Sequence, residues 1–240
     1  MTSQPRPQGL DATSIRCAGK LRVRVRFLPA EVHGGGDIYD VAETRFGLRL
    51  LIGDVMGTGV PASQTGAAVR EAWQAIVGAE PSLVGAAVRL HGLITRSEHP
   101  ERFVTALMMN FGCLPWAEFV CCGHPPPLLL REGTATLVDT GQAAPPLGLL
   151  DMGDGWCSPG TFCFTRSDRL LLYTDGVSEA RDSSGAFFPL AVQAAEADAA
   201  CGGDAGVLLD ILMARLREHV GTSSTDDILL MVVSCEEQPA

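Results

Sequence analysis

The run Phe46-Gly-Leu-Arg-Leu-Leu-Ile-Gly-Asp-Val55 is almost continuously apolar and ends on Gly-Asp, followed at once by Met56-Gly-Thr-Gly-Val-Pro-Ala62. A run of that length and composition reads as a buried strand that delivers a carboxylate, Asp54, to its exit loop. Pro61 is a favourable first helical residue, and the spacing of Ala, Val, Trp and Ile from Ala62 to Val77 predicts an amphipathic helix directly behind that loop.

Upstream, Leu21-Arg-Val-Arg-Val-Arg-Phe27 alternates with period two, which predicts a strand with one wet face near a sheet edge. The glycines and aspartates of Gly34–Asp40 then break the pattern. Residues 1–19 carry early Pro and Gly and no periodicity, so a flexible N-terminal arm is expected there, with one domain over residues 20–240. Downstream, a second helix is expected from Pro81 to about Arg96. Short strands follow over Phe103–Gly112, Ala117–Cys122, Pro127–Arg131 and Thr134–Asp139, set to form antiparallel hairpins. Gly141–Gly160 reads as irregular connection or a flap. Strand-like runs return at Phe162–Phe164 and Arg169–Tyr173, two helices at Pro189–Ala200 and Gly206–Val220, and a last strand at Ile228–Val233. Strands clustered around two separate helix pairs, not alternating one for one with helices, predict an α+β fold with antiparallel sheets.

Composition narrows the function. In 240 residues, 18 Lys and Arg stand against 28 Asp and Glu, a formal charge of −10, so the chain offers no cation excess to a phosphate backbone and nucleic acid is excluded as a partner. No export signal and no membrane-length apolar run is evident, which predicts a cytoplasmic protein. The eight cysteines form no CxxC pair and are expected as free, buried thiols, and the five histidines stand at no zinc-ligand spacing. Any metal would therefore be held by oxygen.

Oxygen ligands are available. Four strand-end positions carry an aspartate beside glycine or a second aspartate: Asp37 in GGD, Asp54 in IGDVMGTG, Asp175 in TDG and Asp226 in TDD. Any one alone is an ordinary turn or cap carboxylate. Four at the ends of core strands can converge at one end of a sheet pair, where their charges repel and call for hard divalent cations, Mg²⁺ or Mn²⁺. Two such ions can hold a water as nucleophile for phosphoester hydrolysis.

The ordered set GGDIYD (35–40), LIGDVMGTGVPA (51–62), FVTALM (103–108), CGHPPPLLLREG (122–133), PLGLL (146–150), LLLYTDGVSEARDSSGAFF (170–188) and DDILLMVV (226–233) resembles the successive motifs of the SpoIIE/RsbU-type serine phosphatases, a bacterial branch of the metal-dependent protein phosphatase (PPM) family. The resemblance implies a four-layer α/β/β/α sandwich, two packed antiparallel sheets flanked by helix pairs. It also implies a protein-serine/threonine phosphatase with two divalent cations, Mn²⁺ or Mg²⁺. Asp54 matches the family's bridging ligand and Val55 the position whose backbone carbonyl also reaches a metal. Asp37 matches the far-side ligand of one ion, and Asp175 and Asp226 match those completing the other shell. Asp227 stands where the family often has Asn and is expected to be structural; Gly36, Gly53 and Gly176 are expected to serve backbone geometry. The substrates implied are phosphorylated anti-anti-sigma proteins of the STAS fold, in sigma-factor regulation by partner switching.

Thr58 departs from the GHG of many relatives, which bears on loop geometry or phosphate contact. His124 in GHPP is expected to be structural, not a catalytic acid. With fewer than 30 residues before the motifs, regulation is expected from a separate activator protein or from a homodimer. Thr65–Ala79, with Trp73, reads equally as a regulatory or dimer surface and as core. Two other functions compete with the active phosphatase: a catalytically silent PPM-fold binding module in a partner-switching pathway, and a metallo-phosphohydrolase of small molecules. Asp54→Asn or Asp175→Asn is expected to abolish turnover while leaving the metal-free protein as stable or more so.

Overall fold

The computed structural model describes residues 11–16, 21–30, 35–97, 99, 101–141, 144–152, 157–221 and 226–235. In chain order these form β1 (Asp11–Arg16), β2 (Leu21–Leu28), β3 (Asp37–Thr44), β4 (Gly47–Val55), α1 (Gly59–Ile76), α2 (Leu83–Thr95), β5 (Val104–Cys113), β6 (Trp116–Cys122), β7 (Leu128–Arg131), β8 (Thr134–Leu137), β9 (Gly160–Cys163), β10 (Arg169–Tyr173), α3 (Asp175–Ser178), α4 (Leu190–Ala200), α5 (Ala205–Val220) and β11 (Ile228–Cys235). The expected α+β sandwich is present. One sheet has the order β1-β2-β11-β10-β7-β8, the other β3-β4-β5-β6-β9, and every neighbouring pair is antiparallel.

Strand alternation builds the layers. Along β4, Leu48, Leu50 and Ile52 face the opposite sheet, while Leu51 and Val55 face α1 and α2. Along β11, Leu229, Met231 and Val233 enter the space between the sheets, and Ile228, Leu230 and Val232 pack under α4 and α5. Both strands are apolar on both faces because each is covered on both, which is why they read as continuous hydrophobic runs. Three cores result, one between the sheets and one beneath each helix pair.

The helices are cut by local chemistry. Ser82 caps α2 by accepting from Gly85 N at 3.2 Å, and Asp204 caps α5 by accepting from Gly206 N at 2.6 Å. Ala62, Gly66, Val69 and Trp73 give α1 its buried stripe. Arg49 of β4 is fully buried and donates to the carbonyls of Val77, Glu80 and Pro81, fixing the α1–α2 connection against the strand that carries Asp54. Its guanidinium also lies 4.4 Å from the Phe46 ring centroid.

Several expectations change. β2 is interior, between β1 and β11, and residues 11–16 of the expected arm form the edge strand beside it. The arginine face of β2 lies under α5, with Arg26 Nε 2.7 Å from Asp210 Oδ1 and Arg24 near Asp204. The segment read as a break continues from Asp37 into β3, an edge strand. Pro61 is the third residue of α1, not the first. Trp73 is fully buried beneath α1, so it belongs to the core. Seven cysteines are free thiols; Cys122, Cys157 and Cys201 are buried, but Cys113 is exposed. Gly34, Thr225 and all the rest of the arm, Cys17 included, lie outside the described residues. Among the described residues, no helix is long and apolar enough to cross a membrane.

Candidate metal centre

Asp37 and Asp54 are direct register partners where β3 and β4 meet, so the ladder itself sets two carboxylates side by side. The chain approaches Asp37 through Gly36, whose carbonyl accepts from Val55 N at 3.1 Å. A Cβ on Gly36 would run into Asp54 Oδ1 and stand 3.0 Å from the Val55 carbonyl oxygen, so glycine leaves that space open. The same test at Gly176 places a Cβ against the Asp227 carbonyl. Backbone geometry is thus the use of both glycines.

The other sheet supplies the opposite wall. β10 ends at Tyr173, Asp175 opens α3, and Asp226 precedes β11, its Oδ1 accepting from Asp227 N at 2.8 Å. Thr174 joins the two walls: its hydroxyl donates to Asp37 Oδ2 at 2.7 Å and accepts from Leu229 N at 3.2 Å. Asp227 makes a second tie, accepting from Ala30 N at 2.9 Å and Gly35 N at 2.6 Å. It therefore holds the loop into β3, in keeping with the structural role expected for it.

The electrostatics report on the crowding. Burial pushes Asp54 up to about 7, helped by the negative charges of Asp175, Asp226 and Asp227. Asp37 is raised well above the carboxylate range, first by burial and then by Asp54, Asp227 and Asp175, against the lowering effect of the Thr174 hydroxyl. Asp175 is raised by burial, Asp226 and Glu179; Asp226 is raised by burial, Asp227 and Glu179, the Asp227 N–H opposing. No lysine or arginine figures among these contributors. All four aspartates expected at the site thus share one field, and Glu179 joins it. Among the described residues, however, no group of three or more His, Cys, Asp or Glu side chains closes into a ready metal cage.

Behind Asp54 lies a buried polar relay. Its N–H donates to Thr105 Oγ1 at 3.2 Å, and that oxygen is 3.0 Å from His124 Nδ1. Burial drives the imidazole down to about 3, so His124 is neutral at physiological pH and does not serve as an imidazolium acid. The structural reading of His124 agrees with this. Thr58 occupies the N-cap of α1 but makes no side-chain cap bond. Thr174, Thr105 and Glu179 escaped the sequence reading. Only Thr174, the polar residue between the apolar end of β10 and Asp175, left a signal there.

The family model for Stage II sporulation protein E (SpoIIE) matches residues 44–236. The phosphoserine phosphatase RsbP of Bacillus subtilis is 29% identical over 153 residues, covering 60% of this chain and 36% of RsbP, so the chain spans little more than a third of that relative's length. The structure of the RsbU and RsbW domains of Rv1364c from Mycobacterium tuberculosis superposes with a TM-score of 0.74 at 24% identity, over 92% of this chain and 62% of that one. RsbX, solved in complex with magnesium, superposes with a TM-score of 0.66 at 14% identity, over 94% of this chain and all of RsbX. A motif order that resembled one family, a sandwich that repeats its fold and a family model matched over most of the length agree: this chain belongs to the SpoIIE family, among the SpoIIE/RsbU-type PPM phosphatases.

Proposed function

We propose that the protein is a metal-dependent protein serine/threonine phosphatase that hydrolyses phosphoserine or phosphothreonine on a regulatory protein. The observation that carries the reading is the convergence of Asp37 and Asp54 from one sheet with Asp175 and Asp226 from the other, where partial burial and neighbouring carboxylates raise all four carboxyls. A donor set made of carboxylates, with a backbone carbonyl at Val55 and space kept open by Gly36, fits hard divalent ions such as Mn²⁺ or Mg²⁺. The magnesium in RsbX supports the same choice.

In this reading Asp37, Asp54, Asp175 and Asp226, with the Val55 carbonyl, would together hold the two ions. Bound there, the pair would polarise the phosphoryl oxygens and make a water nucleophilic at neutral pH. The chain's own part is orientation. Thr174 leaves Asp37 one free oxygen, and the Thr105–His124 relay fixes the backbone at Asp54. Because His124 is neutral, proton delivery to the leaving serine oxygen falls to another group or to water.

The name of RsbP supports phosphoserine as substrate, and the RsbU and RsbW domains joined in the mycobacterial structure support a place in partner switching. On that basis the substrate proposed is a phosphorylated anti-anti-sigma protein of the STAS fold. Hydrolysis of para-nitrophenyl phosphate and of a phosphoserine peptide, with Mn²⁺, Mg²⁺ or EDTA and with Asp54→Asn alongside, tests the reading. Turnover that requires metal and disappears in the variant supports it; no turnover with either metal and every substrate would sink it.

A further inference from the structure

Arg102 stands in the turn that leads into β5, and its guanidinium has two buried nitrogens, Nε and Nη1, with no hydrogen-bond partner. Other arginines keep a buried Nε unpaired, but each is engaged through its remaining nitrogens: Arg24 near Asp204, Arg49 on three carbonyls and Arg169 on Asp198. Among the described residues Arg102 alone has two guanidinium nitrogens in this condition, and it makes no ion pair. A cation kept partly from water without a partner is destabilising, so its retention asks for a use at some stage of the working cycle.

Its position supplies one. The β4–β5 ladder pairs Asp54 with Thr105 and Val55 with Val104, and continues as Met56 N donating to the Phe103 carbonyl at 3.0 Å. The next step sets Gly57 opposite Arg102, and Arg102 Nη1 lies 4.0 Å from where a Cβ on Gly57 would stand. Gly57 has φ +93 and lies three residues past Asp54, at most ~10 Å of extended chain. The arginine backbone is pinned as well, since Gly148 packs closely against the Arg102 carbonyl and Val104 exchanges two hydrogen bonds with Leu147. On the other side of the Met56–Gly59 loop, α1 begins with no acidic residue in its first turn and with the Thr58 hydroxyl uncommitted to capping, a start that favours anions.

A phosphomonoester is a dianion, and a site walled by carboxylates repels it. We propose that the Arg102 guanidinium is an oxyanion-binding group of this site, taking non-bridging phosphate oxygens of the substrate beside the Met56–Gly59 loop. The fork of N–H donors suits that geometry, and a lysine would serve only as a point charge. The proposal rests on the phosphatase reading and adds the group that recognises the phosphate.

The test uses the full chain saturated with Mn²⁺ and inorganic phosphate as probe, with phosphate affinity read by calorimetry and by inhibition of para-nitrophenyl phosphate hydrolysis. Arg102→Ala should weaken phosphate at least about tenfold, the loss of a charge-assisted contact. Mn²⁺ affinity should stay within about twofold, and melting temperature should hold or rise because an unpaired, half-buried cation is gone. Arg102→Lys should recover part of the affinity. Unchanged phosphate affinity in Arg102→Ala, a parallel fall in Mn²⁺ affinity, or a native chain that takes up no phosphate at millimolar concentration overturns the proposal. If the alanine variant does not fold, Arg102→Lys and Arg102→Gln decide, and native phosphate affinity in both overturns it. Phosphate binding that depends on Arg102 in a chain without turnover would leave the anion site standing and the phosphatase reading fallen.

Discussion

The Thr174 hydroxyl, on one sheet, donates to Asp37 Oδ2, on the other, across 2.7 Å of fully buried space. A threonine at a strand exit thereby sets the orientation of a carboxylate 137 residues earlier in the chain. Thr174→Val keeps the shape and removes the donor, so metal affinity should fall about 10- to 150-fold, in line with the ~1.5–3 kcal/mol of a hydrogen bond to a charged group. Thr174→Ser should stay near native. Calorimetric Mn²⁺ titration of both variants checks this, and equal affinities in the two would show that the hydroxyl is idle.

Stability without metal should depend on pH in an unusual direction. Asp54 is held at about 7 when folded, above the ~3.9 of an unfolded aspartate. Its contribution to stability is therefore fully present below about pH 4 and lost as pH rises through about 7, up to about 4 kcal/mol and less where neighbours titrate together. Urea unfolding in EDTA should show a higher midpoint at pH 5.5 than at pH 8. Asp54→Asn should narrow that difference and be at least as stable as native at pH 8.

Asp168 behaves in the opposite sense. Burial alone would raise its pKa, but the Arg131 fork, with Nε at 2.8 Å and Nη2 at 2.6 Å, and the Thr165 N–H hold it below the ordinary value. Its contribution is present above the unfolded pKa and lost as pH falls through the folded one. Asp168→Asn should cost about 1–3 kcal/mol, discounted because the Arg131 side chain is 38% exposed. It stands at the start of β10, away from the Tyr173 end that meets the aspartates, so metal affinity should not move. Denaturant melts and Mn²⁺ titration separate the two effects.

Arg49→Met should destabilise by about 3 kcal/mol or more, because the Val77, Glu80 and Pro81 carbonyls lose their donor together. Amide hydrogen exchange should report the loss first at residues 77–82. Uniform loosening over the whole chain would contradict the assignment of Arg49 to that connection.

What could be read from the residues follows from how the sheets are covered. β4, β10 and β11 are hidden on both faces, so their sequences are apolar runs with an aspartate at, just before or just beyond one end, and they were legible with nearly correct bounds. β3 was not, because an edge strand needs only one protected face, and Asp37-Ile-Tyr-Asp behind glycines looks like a turn. The arginines of β2 pointed to solvent by every local rule, yet α5 lies over them with Asp204 and Asp210 as counter-ions. Thr174 and Thr105 matter through partners on other strands, and no spacing rule registers that. The aspartates stood out because each sits where a strand begins or ends.

The tie between Thr174 and Asp37 and the tie between Asp227 and Gly35 cross the same seam. Ions held by ligands from both sheets would act there as rivets through two plates. Chelation would then loosen the joint between the layers as well as silence the chemistry, and by mass action the lifetime of the protein against a protease would rise and fall with the metal supply of its surroundings.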